Sequence, residues 1–80
     1  MPITTDKHDL IVREIAELLG VDESMVKPES SLQDDLGADS LDLLEICMAL
    51  EDNFDIEISD EDALACRTVQ QVFELVERLT

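Results

Sequence analysis

Between positions 40 and 53 the chain carries too many apolar residues for one stripe of an amphipathic helix, and this constrains its fold most. At about 100° per residue, Leu43, Ile46, Cys47, Leu50 and Phe54 fall within roughly 60° of one direction. That face is predicted to enter a core. Leu41, Leu44 and Met48 fall on nearly the opposite side, beside Glu45 and Asp52. They are expected to form a second, exposed apolar row edged with carboxylates. A buried face of this width needs other helices packed against it, and the second row is free to meet a partner.

The flanking segments supply those helices. A first helix is predicted over 6–19, with Thr5 as cap, Ile11, Ile15, Leu18 and Leu19 at helical spacing, and Gly20 as the left-handed stop. The loop 21–35 contains Pro28 and the Ser30-Ser31 pair, and needs anchors of its own in Val21, Met25, Val26 and Leu32. A short helix over 60–65 is predicted behind Ser59, with acids in its first turn. A last helix opens at the Thr68-Val69-Gln70-Gln71 capping box and buries Val69, Val72, Phe73, Val76 and Leu79. Ile56-Glu57-Ile58 alternates like a strand, but three residues cannot make a sheet. The predicted fold is all-α: a small four-helix bundle of three main helices and a short third one, forming one domain over 1–80.

Charge narrows the function. The net charge is −16, and between Lys27 and Arg67 there is no Lys or Arg, whereas twelve acidic residues lie from Asp34 to Asp62. Such a surface repels nucleic acid and anionic lipid and attracts basic protein patches. No apolar run approaches a membrane span and no signal peptide opens the chain, so a soluble, cytoplasmic protein is expected. Cys47 and Cys66 have no metal-binding spacing and read as small core residues; a disulfide between them stays open, because sequence does not place their Cα atoms.

Chemistry has few candidates. His8, the single histidine, has no recognisable partner to make it a base and reads as a solvated surface residue. The nearest calcium-loop register, with Asp55, Glu57 and Ser59 at ligand spacing, fails. Asp60 stands where glycine is required and Cys66 where a bidentate glutamate is required. No metal site is expected beyond loose charge compensation, and no enzyme. Ser40 remains. It follows the glycine turn of Asp35-Leu36-Gly37-Ala38-Asp39-Ser40-Leu41-Asp42 and stands at the start of the predicted helix, where free N–H groups favour an anion. Its plainer reading is an N-cap. That reading leaves the second apolar row unexplained.

This run, together with Met48-Ala49-Leu50-Glu51, Phe54-Asp55, Glu57-Ile58 and Thr68-Val69-Gln70, resembles the bacterial type II acyl carrier proteins. Leu19-Gly20-Val21 and Val26 fall at the family's distances before the serine, so the resemblance covers nearly the whole chain. It implies that coenzyme A donates 4′-phosphopantetheine to Ser40, and that the arm's thiol holds acyl chains as thioesters for the enzymes of fatty acid biosynthesis. It implies that Asp39 and Leu41 help a phosphopantetheinyl transferase recognise the serine. Leu41, Asp42, Leu44, Glu45, Met48 and Asp52 would dock acyl-processing enzymes through their basic patches. Cys47, Leu50, Phe54, Ile58, Ala63 and Cys66 would line a cavity for the acyl chain, and the carrier would act as a monomer.

The chain also departs from the family. Leu43 stands where a small polar residue is frequent, Cys66 where isoleucine is frequent, Leu64-Ala65 replaces a charged pair, and Arg67 adds a lone cation. These departures keep open a specialised carrier for polyketide or modified-lipid assembly. From a different class, an acidic interaction module that is never modified also stays open.

Overall fold

A computed structural model describes residues 7–80. Four α-helices follow in order: α1 Lys7–Leu19, α2 Ser40–Phe54, α3 Asp60–Ala65 and α4 Val69–Leu79. A single 3-10 turn, Glu23–Met25, interrupts the long loop after α1. The predicted cap Thr5 and the helical residue Asp6 lie outside the described residues. Ile56 to Ile58 form no strand; Ile58 is buried as a packed loop residue.

Each helix ends where local chemistry ends it. Gly20 takes a positive φ of 69° after α1, and the Val21 N–H returns to the Ala16 carbonyl at 3.0 Å. Asp55 closes α2 in the same left-handed region, at φ 56°, without being glycine. The Ser59 hydroxyl accepts the Asp62 N–H and starts α3. Thr68 and Gln71 form the capping box of α4.

The core is aliphatic: Ile11, Ile15, Leu32, Ile46, Leu50, Val69, Val72 and Val76 are fully buried. Three predicted core residues are instead exposed, namely Leu18, Met25 and Leu79. Leu79 lies a turn beyond the last buried residue, at a polar end of the bundle where Lys7 Nζ donates to Thr80 Oγ1 at 2.8 Å. Leu75 is buried in its stead, because α4 also faces α3. At Met25 the loop uses the carbonyl, which accepts from the buried Ser30 hydroxyl at 2.9 Å, and not the side chain.

The loop is held by long-range backbone bonds. Leu32 N–H donates to Arg67 O, Val69 N–H to Ser30 O, and Gln70 N–H to Pro28 O, while Ser31 and Thr68 form an isolated antiparallel bridge. The Val69 and Gln70 bonds satisfy N–H groups in the first turn of α4 that have no acceptor inside the helix. His8 is a further correction. It is half-buried, stacks on Phe73 with ring centroids 4.0 Å apart and planes 7° from parallel, and places Nε2 2.7 Å from Glu77 Oε2. The residue read as solvated clamps α1 to α4.

Candidate functional site

Ser40 is delivered by a short, pinned turn. Leu36 and Ala38 are buried on either side of Gly37, which adopts a φ of 76°. Gly37 N–H reaches Gln33 O, and Ala38 N–H reaches Leu32 O at 2.8 Å. Asp39 therefore emerges at a fixed place, and it is Asp39, not Ser40, that caps α2. Its Oδ1 accepts the Asp42 N–H at 2.9 Å, while Asp42 Oδ2 accepts the Asp39 N–H at 3.1 Å. The N-cap reading of Ser40 is overturned, because the carboxylate one residue earlier already does that work. Ser40 becomes the first helical residue, exposed and with its hydroxyl in no hydrogen bond among the described residues. At this position its N–H also has no intrahelical acceptor.

The same box alters the reading of Asp42. Besides its place on the acidic face of α2, its Oδ2 holds the Asp39 N–H and so helps to fix the start of the helix. Leu41 and Met48 are 62% and 61% exposed, and Glu45 and Asp52 are exposed beside them. Leu44, expected in that exposed row, is half-buried against the core. It turns into a groove between α2 and α3 of about 220 Å³, lined by Leu44, Cys47, Met48, Glu51 and, from across the groove, Ile58, Asp60 and Ala63.

The six residues expected to line one cavity are divided. Cys47, Ile58 and Ala63 border this groove. Leu50 is fully buried in the core and Phe54 packs half-buried against it; neither borders the groove. Cys66 lines a different cavity, of about 270 Å³, between α3 and α4, with Ala65, Leu75, Asp62 and Arg78. Sequence reasoning missed Glu51, whose Oε2 also accepts the Ile58 N–H at 2.7 Å and ties α2 to the segment before α3. The signal was available: Leu44, Cys47, Met48 and Glu51 repeat at helical spacing along the seam between the two faces of α2.

Residues 9–76 match the family described as "Phosphopantetheine attachment site". The chain belongs to the acyl carrier proteins. It is 56% identical over 64 residues to an acyl carrier protein of Syntrophobacter fumaroxidans, covering 80% of this chain and 79% of that one. It is 52% identical over 71 residues to the acyl carrier protein of Bdellovibrio bacteriovorus, covering 89% and 91%. The solution structure of the apo doublet acyl carrier protein from prodigiosin biosynthesis shares the fold, with a TM-score of 0.77 at 24% identity. That match covers 91% of this carrier and 35% of the doublet chain. The carrier bears 4′-phosphopantetheine on a serine, holds acyl groups as thioesters and interacts with acyl-processing enzymes. It is not itself an enzyme.

The residues around Ser40 fit such an arm. An unbonded, exposed hydroxyl stands at a helix start, and both neighbouring carboxylates of the capping box face backbone N–H groups. Both cysteines are free and buried. Burial first, then the Cys66 thiol and the Glu51 carboxylate, push Cys47 up to about 12. Cys66 is raised by burial and by Asp62, with Arg78 acting against them. Both remain protonated near neutral pH and behave as small apolar groups. Among the described residues no helix is long and apolar enough to cross a membrane, and no three His, Cys, Asp or Glu side chains are grouped to hold a metal ion.

Proposed function

We propose that Ser40 is the modified serine, that residues 1–80 act as one carrier domain, and that the carrier serves fatty acid biosynthesis in the cytoplasm. The observation that carries the first point is the division of labour at the start of α2. Asp39 and Asp42 cap each other's backbone, leaving the Ser40 hydroxyl exposed and unbonded at a site that favours an anion. Bound there, 4′-phosphopantetheine supplies the thiol that holds the acyl group. The chain's own residues do the rest. The α2–α3 groove offers Cys47, Ile58 and Ala63 to an alkyl chain, and its two charged walls, Glu51 and Asp60, disfavour an anionic cargo.

Recognition falls to the exposed face of α2. Leu41 and Met48 supply contact area, while Glu45 and Asp52 steer partners with basic patches, the phosphopantetheinyl transferase among them. The test is intact mass spectrometry after incubation with coenzyme A, magnesium and a broad-specificity phosphopantetheinyl transferase. One added phosphopantetheine, absent in Ser40→Ala, is expected. A folded Ser40→Ala protein that still gained the mass would place the site elsewhere.

A further inference from the structure

Arg67 is the single lysine or arginine between Lys27 and Arg78. It stands in the link between α3 and α4, and the backbone ties that link to the turn that presents Ser40. The Arg67 carbonyl accepts the Leu32 N–H at 2.9 Å, and the Leu32 carbonyl in turn accepts the Ala38 N–H at 2.8 Å. Two hydrogen bonds and two residues of chain therefore join Arg67 to Ser40. Leu32, between them, is fully buried, so this path is fixed. The Arg67 N–H is held as well, by Gln71 Oε1 at 2.6 Å. Only the side chain is left uncommitted: it is exposed and makes no ion pair or hydrogen bond among the described residues. No acid stands three or four positions away on either side, where the chain has Ala63, Leu64, Gln70 and Gln71.

The chain on either side of Ser40 is acidic, with Asp34, Asp35, Asp39, Asp42 and Glu45 all close to it in sequence. A phosphodiester on Ser40 carries a negative charge into this neighbourhood and is repelled by it. The cation that the backbone bonds bring toward it is Arg67. We propose that the Arg67 guanidinium binds the phosphodiester of the arm on Ser40, a positioning contact that leans the root of the arm toward the α3–α4 link and away from Glu45. This rests on the assignment of Ser40 given above. A guanidinium presents its N–H donors as a planar fork that matches two oxygens of one phosphate. Drawn to that side, the arm leaves Leu41, Glu45 and Met48 clear for a partner.

The test uses the full chain with its arginine side chains labelled with nitrogen-15, compared before and after loading from coenzyme A. The Nε–H resonance of Arg67 is expected to shift on loading, while those of Arg13 and Arg78 stay in place. The phosphorus-31 resonance of the loaded protein is expected to move in Arg67→Gln. That substitution leaves the backbone bonds to Leu32 and Gln71 in place, and an unchanged Leu32 amide resonance verifies that the turn is intact. An Arg67 resonance that does not respond to loading, or a phosphorus-31 resonance that is the same in Arg67→Gln and wild type, overturns the contact while leaving the carrier function standing. Failure of the wild-type protein to load, read by intact mass, overturns the Ser40 assignment and the contact with it.

Discussion

The two sides of α2 face different materials. On one side α1 and α4 close a dense aliphatic core around Ile11, Ile15, Ile46, Val72 and Val76, and the His8–Phe73 stack clamps the far end. On the other side stands α3, six residues long, hollow on both flanks and tied down by its Ser59 cap, the Glu51 to Ile58 bond and the Arg78–Asp62 pair. Stability in so small a domain comes mainly from burial, so it is concentrated on the first side. The second side is where the molecule yields. A carrier needs both, because a rigid core throughout leaves no room for a cargo and a loose one does not stay folded.

The largest effect that sharpens this contrast comes from truncating one isoleucine on each side. Ile15→Ala is expected to cost about 3 kcal/mol, and Ile58→Ala roughly half that, since Ile58 already borders a groove and loses fewer packing partners. Equal losses in denaturant titrations would remove the distinction.

Alkaline pH comes next. Cys47 is raised in the fold from 9.0 to about 12, so above 9 the unfolded chain loses this proton first and the folded state loses stability. Stability owed to this group is complete below pH 9 and declines as pH climbs toward 12. Cys47→Ala should flatten that decline in thermal melts taken across the range; parallel curves for variant and wild type would assign the decline to other groups.

His8→Ala is expected to remove about 1 kcal/mol from the clamped side, the scale of a ring pair beyond its area burial. Hydrogen exchange should show the loss in α1 and α4 and leave α3 unchanged, and a uniform loss of protection would mean that the two sides unfold as one. Salt has the smallest effect. With 21 acidic and 5 basic residues, screening should raise the melting temperature from low to moderate ionic strength. A flat or falling trend would show that repulsion does not limit the fold.

The helices were legible in the chain because their ends are written locally. Gly20, Ser59 and the Thr68–Gln71 box stop or start a helix through bonds spanning a few residues. The start of α2 was legible as a place but not as an assignment, since both Asp39 and Ser40 are acceptable caps by residue type and only the backbone geometry chooses between them. The cavities were harder. Helical projection sorts α2 into faces, but it does not say where α3 leans against the seam, so Leu44 and Glu51 entered the groove while Leu50 and Phe54 stayed out. Cys66 follows α3, and its direction depends on how that helix ends.

What the sequence determined by itself is therefore the helical elements, their boundaries to within about a residue, and the serine poised at the second of them, because capping, periodicity and turn chemistry act over short separations. Only the tertiary structure decided that His8 meets Phe73, that the loop is bonded to the start of α4, and that the two thiols look into different cavities. Those contacts join residues far apart in the chain, and their partners are chosen by the relative placement of whole helices, which no local pattern encodes.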